Sequence, residues 1–316
     1  MLHCNMNRPV IVIGGPTASG KSALAMAAAS ALGGIVVNAD SMQLYRDLPV
    51  LTARPVPAEE AAVPHALYGI WDAAEQGSAG RWLALLEPLL KRDVPLVLVG
   101  GTGLYLDALL HGIAPVPVIR PEIREEVRAL PPDDLHPLLA REDPEMAARL
   151  RPSDPQRLMR ALEVVRSTGR SLSFWQDQPR VRPDLGPLAP LGIALVPPRA
   201  ALVARIERRL AAMAAAGAFD ELASFRARPG TERSPLLKAV GVPELARHLD
   251  GLADADTALA DAAIATRRYA KRQVTFLRHR LSQLQPIAGF GDDPAVREAV
   301  LDQILAATAG IPSRSR

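Results

Sequence analysis

Residues Gly15-Pro16-Thr17-Ala18-Ser19-Gly20-Lys21-Ser22 fit the pattern G-x-x-x-x-G-K-[ST] without a mismatch. This pattern constrains a fold more than any other stretch of the chain, because it works only between a buried strand and a helix. Val10-Ile11-Val12-Ile13-Gly14 precedes it and reads as a buried parallel strand. The Ala/Leu/Met-rich stretch from Ala23 to Leu32 follows and reads as a helix, with Gly33 and Gly34 suited to its C-terminal cap. Small residues in the loop let successive N–H groups turn towards one anion at the helix N-terminus. Lys21 would add a mobile positive charge, and Ser22 a hydroxyl ligand for Mg²⁺. The plain alternative is a glycine-rich turn without a ligand, and the strand–loop–helix setting disfavours it. The loop alone does not say which phosphate it holds.

The 316 residues suit one large domain or two, and a hydrophobic content of 48% is enough for a sizeable core. The net charge is only +3, so a polyanion site must come from local clustering of charge. Cys4 is the only cysteine, which excludes an internal disulfide or a cysteine-rich metal site and fits a reducing compartment. No run of about 18 uncharged apolar residues is present, so no membrane span is expected. Met1 to Arg8 lacks the apolar segment of a signal peptide, and a cytoplasmic location is the expectation.

Strand-like and helix-like segments alternate through the first third, as in a doubly wound sheet. Ile35 to Asp40 and Pro95 to Gly101 read as two further strands. With the first strand they would offer polar groups at Gly14, Ala39 and Gly100 to one crevice. Proline-rich stretches near Pro115–Pro121 and Pro179–Pro198 flank a charged, Arg-containing, helix-forming segment, and Leu191 to Val196 again reads as a core strand. The expected organisation is therefore a mostly parallel α/β core of residues 1–116 and 185–316, flanked by helices, with a helical insertion at 117–184. Ala200 to Gly217 places Leu202, Ile206, Leu210 and Met213 on one helical face, with Arg205, Arg208 and Arg209 on the other. Asp261 to Gln285 has an apolar stripe of Ala270, Val274, Leu277, Leu281 and Leu284, opposite Arg267, Arg268, Lys271, Arg272 and Arg278. One more helix and a polar tail complete the chain. No helix carries a coiled-coil seam, so a monomer is expected.

Asp40, in Ala39-Asp40-Ser41-Met42-Gln43, suits a carboxylate facing a substrate donor, a metal shell or a simple turn cap. Gly100-Gly101-Thr102-Gly103 lets backbone approach a ligand and presents one hydroxyl, or is only a tight turn. Asp154-Pro155 opens a helix on which Arg157 and Arg160 share a face, ready for phosphates or for ion pairs with Glu163. The Arg267–Arg278 cluster is harder to explain as a solvated face, because Asp261 is the only acid between Asp261 and Gln285. Aromatic residues total only 4%, too few for a long stacking platform. The histidines show no ligand spacing.

Together these segments resemble the tRNA dimethylallyltransferase family, over nearly the whole chain and in order. The similarity runs through Gly15–Ser22, Asp40-Ser41-Met42-Gln43, Gly100-Gly101-Thr102 with Leu104-Tyr105, and Asp154–Glu163 with Thr168-Gly169. It continues through Arg205-Ile206 to Gly217 and Thr266 to Gln273. The resemblance implies a P-loop-type fold whose loop, Gly15 to Ser22, binds the diphosphate of dimethylallyl diphosphate, with Mg²⁺ bridging it near Ser22. It implies transfer of the dimethylallyl group to N6 of adenosine-37 in the tRNA anticodon stem-loop. Asp40 would accept the N6 proton, Thr102 would contact the reacting centre, and Lys21 would stabilise the leaving diphosphate. By the same resemblance tRNA would be touched by Asp40, Ser41, Met42, Gln43, Thr102, Arg124 and the run Gln156, Arg157, Leu158, Met159 and Arg160. Lys238 and the stretch to Pro243, together with Arg267, Lys271 and Arg272, would complete the contact. Prenyl transfer to free AMP, ADP or ATP is the nearest rival, although a free nucleotide needs no inserted arm. A phosphate-loop small-molecule kinase is another, but it leaves Asp154–Glu163 and the basic helices unused.

Overall fold

The computed structural model describes residues 8–186 and 190–309; His3, Cys4 and the polar tail lie outside them. Six parallel strands form one sheet: β1 (Val10–Gly14), β2 (Ile35–Asn38), β3 (His65–Ala66), β4 (Leu96–Gly100), β5 (Leu191–Val196) and β6 (Gln285–Ala288). Their order is β3-β2-β4-β1-β5-β6, so β1 and β4 lie inside the sheet. Every residue of both strands is buried, which is why they are continuous apolar runs and do not alternate. Ile11, Ile13, Val97, Val99, Ile193 and Leu195 pack on one face against Leu24, Ala25 and Ala28 of the Lys21–Leu32 helix and against Val300 and Ile304. Each large aliphatic side chain so buried contributes about 1.5–3 kcal/mol. This is the α/β class expected, a parallel sheet flanked by helices.

The chain divides into two compact units, residues 1–109 with 183–316, and residues 110–182. The second unit is helical, with its own core of Val127, Leu135, Leu139, Leu158, Leu162 and Val164. Its two ends are joined by the Ile113–Val181 bridge, in which each N–H donates to the other carbonyl at 3.0 and 2.9 Å.

Local differences from the sequence expectations have identifiable causes. The first helix begins at Lys21 rather than Ala23, because Gly20 is left-handed (φ 78°) and turns the loop directly into it. Strand β2 stops at Asn38 rather than Asp40, where the Asn38 side chain takes the Asp40 N–H. The long basic helix runs Ala255–Arg280 and does not reach Gln285. Pro286 disfavours helix at the preceding residue, and Gln285–Ala288 instead joins the sheet as an edge strand, where a proline is tolerated. The buried face of that helix is Ala262, Thr266, Ala270, Gln273 and Leu277, with Val274 only half-buried.

Candidate active site

The carboxyl ends of β1, β2 and β4 converge, and the loops that leave them build the site. After β1, the loop reverses through Ala18 (φ 62°) and Gly20 (φ 78°). A Cβ on Gly20 would stand 2.7 Å from Asp292 N and 2.9 Å from Gly291 N, so only glycine fits there. Asp292 is held in turn by a bidentate pair with Arg205, whose guanidinium lies 4.3 Å from the Phe290 ring centre. Lys21 opens the helix and donates from Nζ to Pro16 O at 3.3 Å.

After β2, Asp40 closes its own turn: Oδ1 accepts the Met42 N–H at 3.1 Å. After β4, Thr102 stands behind this turn. Its Oγ1 accepts the Ser41 N–H at 3.0 Å and donates to Ser41 Oγ at 3.3 Å. Gln43 is held by the chain itself, its Nε2 donating to Thr52 O and Ala53 O at 2.9 Å each. The adjoining Val50 and Leu51 N–H groups are fixed on the Glu221 carboxylate at 2.9 and 3.0 Å.

These loops surround a cavity of about 180 Å³. Thr17, Ala18 and Lys21 line one side, and Asp40, Ser41, Met42 and Gln43 another. Ile206, Arg209, Leu210 and Met213 project from the Arg199–Ala215 helix, while Leu51 and Val240 add further apolar wall. Lys238 stands at the rim on an exposed turn. Thr266, Tyr269 and Gln273 close the cavity from the Ala255–Arg280 helix.

The charges in this cavity feel one another. Burial lowers the Lys21 ammonium to about 8; Asp40 opposes that shift and Arg209 adds to it. Burial likewise lowers the Arg209 guanidinium, with Asp40 opposing. Two cations and one carboxylate thus share a pocket with an apolar wall. Such a pocket can hold a diphosphate at its cationic side and a small hydrocarbon beside the carboxylate.

Of the residues expected at the site, Thr17, Ala18, Lys21, Asp40, Ser41, Met42, Gln43 and Lys238 come together around the cavity. Gly15, Pro16, Ser19, Gly20 and Ser22 shape the loop without lining it, and Ser22 is exposed in the first helical turn. Thr102 acts from behind Ser41. Arg267 pairs with Glu207 at 3.4 Å, while Lys271 and Arg272 are exposed on the same helix.

In the helical unit, Asp154 caps its helix by accepting the Arg157 N–H at 3.2 Å. Arg124, Arg128 and Arg160 approach a buried Glu163 at 3.9, 3.6 and 3.8 Å. Gln156 and Arg157 are exposed and Met159 is half-buried. Leu158 is a correction: it is fully buried in the core of this unit, so its side chain cannot present itself to a partner.

Arg209, Gln273 and Tyr269 are among the cavity residues that the sequence does not mark as part of the site. Arg209 reads with Arg205 and Arg208 as the polar side of its helix, yet it lies three residues after Ile206 and four before Met213, on the face those residues share. Gln273 is buried; its Oε1 accepts the Thr17 N–H at 2.9 Å and its Nε2 donates to Gly101 O at 2.8 Å. One side chain thereby ties the phosphate loop to the Thr102 turn. Tyr269, one turn earlier, lines the same cavity, and burial raises its phenol well above the usual range. Their four-residue spacing was the available signal.

Among the described residues no group of three His, Cys, Asp or Glu side chains could hold a metal ion, and no helix is long and apolar enough to cross a membrane.

Comparison with known proteins identifies the family. The family described as IPP transferase matches residues 43–280, and that described as isopentenyl transferase matches residues 8–65. The tRNA dimethylallyltransferase of Rhodospirillum rubrum is 52% identical over 305 residues, covering 94% of this chain and 90% of its own. That of Rhodopseudomonas palustris strain BisB18 is 49% identical, covering 88% and 90%. The full-length tRNA isopentenylpyrophosphate transferase of Bacillus halodurans superposes with a TM-score of 0.69 at 30% identity, covering 96% and 97%. A eukaryotic dimethylallyltransferase crystallised acting on tRNA shares the fold, with a TM-score of 0.77 at 23% identity over 98% of this chain and 81% of its own. With its phosphate loop, its Asp40–Gln43 turn and a sequence match along nearly its full length, the chain belongs to the tRNA dimethylallyltransferase family of prenyltransferases.

Proposed function

We propose that this enzyme transfers the dimethylallyl group of dimethylallyl diphosphate to N6 of adenosine-37 in tRNA and releases diphosphate. The observation that carries the reading is the shared cavity, with Lys21 and Arg209 as cations, Asp40 as carboxylate, and Ile206, Leu210 and Met213 as apolar wall. The allylic C1–O bond breaks and its electron pair leaves with the diphosphate, where Lys21, Arg209 and the loop N–H groups stabilise the charge that develops. The C1–N6 bond forms from the amine, a poor nucleophile because its lone pair is delocalised into the purine. The N6 proton passes to Asp40; because Oδ1 accepts the Met42 N–H, Oδ2 is the oxygen we assign to take it. Thr102, braced by Ser41, holds the wall behind the reacting centre. Adenosine-37 must leave the loop stack to reach a pocket at the strand ends.

The residues present fit a substrate-borne metal better than a resident one. Ser22 offers one exposed hydroxyl, and among the described residues no group of three His, Cys, Asp or Glu side chains could hold a metal, so Mg²⁺ would be held mainly by diphosphate oxygens and water. When bound there it would neutralise part of the leaving-group charge. The exposed Arg268, Lys271, Arg272 and Arg278 supply a basic face for the anticodon stem-loop, and Arg124, Gln156, Arg157 and Arg160 of the helical unit supply further donors. A monomer in the cytoplasm is sufficient for this chemistry.

Paired variants test the reading. Asp40→Asn and Lys21→Ala should each lower the prenylation rate by on the order of 10²-fold or more, with tRNA affinity changed less than threefold. Near-normal turnover in both would refute the assignment.

A further inference from the structure

Asn38 ends β2 as a fully buried side chain that the reaction as described does not use. Its amide makes three hydrogen bonds. Oδ1 accepts the Asp40 N–H at 2.7 Å, and Nδ2 donates to Asp40 O and to Leu67 O at 2.9 Å each. One side chain therefore grips both backbone polar groups of Asp40. Leu67 supplies its carbonyl from a left-handed conformation (φ 64°), which an L-residue keeps only where surrounding contacts over-determine it. From the other side, Trp82 Nε1 donates to Asn38 O at 2.8 Å, and Trp82 is itself fully buried and stacked on Tyr105 at 4.9 Å.

This arrangement has a direct consequence for the carboxylate. Asp40 Oδ1 accepts the Met42 N–H, so the rotamer of Asp40 is set relative to the backbone of its own turn. The orientation of that turn is set by Asn38. If the Asp40 peptide groups rotate, the carboxylate swings with them, and a displacement of ~1 Å at a reacting group can cost on the order of 10²-fold in rate.

We propose that Asn38 is a positioning residue for Asp40: its amide locks the turn so that one carboxylate oxygen faces the reacting amine. The proposal rests on the reading of Asp40 as proton acceptor. Asn38 touches no substrate; it acts through Asp40.

The test uses the full-length enzyme with unmodified tRNA and saturating dimethylallyl diphosphate, measured in a single turnover. Asn38→Leu keeps the branched heavy-atom shape of the side chain and removes all three hydrogen bonds. Its rate should fall about 10- to 100-fold, with tRNA affinity and the KM for dimethylallyl diphosphate within twofold of the parent. Asn38→Ser can still accept the Asp40 N–H in the same i→i+2 turn and should recover most of the rate. Trp82→Phe removes the bond on the other side of Asn38; it should lower the melting temperature and leave the rate within threefold. On an Asp40→Asn background, Asn38→Leu should change the residual rate less than twofold, because the group it positions is gone.

The proposal is overturned if Asn38→Leu turns over normally while Asp40→Asn is inactive. It is equally overturned if Asn38→Ser and Trp82→Phe are as slow as Asn38→Leu, which would make Asn38 a generic brace. If Asn38→Leu does not fold, the smaller Asn38→Ala, which also removes all three hydrogen bonds, takes its place in the same comparison. An Asp40→Asn enzyme with the normal rate would instead refute the proton-acceptor reading itself, and the proposal with it.

Discussion

The Lys21 ammonium gives the enzyme a pH dependence that can be worked out in advance. Burial lowers it to about 8, with Asp40 pulling it up and Arg209 pushing it down. A bound diphosphate faces the same ammonium with two or more negative charges and keeps it protonated to higher pH. The unliganded enzyme therefore takes up a proton on binding wherever Lys21 is otherwise neutral, and affinity falls as pH rises above about 8. Between pH 7 and pH 9.5 the charged fraction drops from about nine-tenths to about one in thirty, so the dissociation constant should rise about 30-fold, or ~2 kcal/mol. Calorimetry with a non-reacting allyl diphosphate analogue, whose own phosphates are fully ionised in this range, measures it. Repeating the titration at pH 9 in buffers of different ionisation enthalpy should reveal close to one proton taken up per ligand. Lys21→Arg replaces the ammonium with a guanidinium that stays charged, so its profile should be flat. A flat profile in the parent enzyme, or the same slope in Lys21→Arg, would refute the assignment of Lys21 to the diphosphate.

Other expectations follow from single features of the structure. Gln273→Ala strips partners from Thr17 N and Gly101 O; it should cost about 1–3 kcal/mol in a denaturant melt and raise the KM for dimethylallyl diphosphate. Gly20→Ala places a Cβ against Asp292 in a left-handed turn, so analogue binding should be lost while the tRNA affinity of the folded protein persists. Each tRNA phosphate neutralised in single-stranded regions should contribute about −0.7 to the log–log dependence of affinity on salt, and a near-flat response would exclude the basic helix as the tRNA grip. Glu163→Leu leaves three arginines facing one another around a buried site and should destabilise the 110–182 unit by a few kcal/mol, read as a separate early transition on heating.

Much of this architecture was legible because it is local. The loop from Gly15 to Ser22 and the apolar runs at Val10–Gly14 and Leu96–Gly100 follow from neighbours in sequence, as does the Asp154-Pro155 helix start. What escaped is tertiary. Leu281 and Leu284 continue a helical spacing, and only Pro286 and the open edge of β5 decide that the chain turns into a strand. Arg209 and Gln273 look like solvated polar residues until the helices pack, when the faces they share with Ile206 and with Leu277 turn inward. Leu158 belongs to the run that the resemblance assigns to tRNA, yet its spacing with Ala161 and Leu162 marks a core face. Asn38 reads as an ordinary strand residue; its role appears only in the hydrogen bonds that reach Asp40 and Leu67.

The central claim is tested most directly by offering the enzyme unmodified tRNA and AMP together, with Mg²⁺ and dimethylallyl diphosphate, and mapping the product by mass spectrometry of nuclease fragments. The account predicts one dimethylallyl group on adenosine-37 of the tRNA, none on AMP, and no transfer in Asp40→Asn. Prenylated AMP with unmodified tRNA, or a dimethylallyl group at another position of the tRNA, would contradict it.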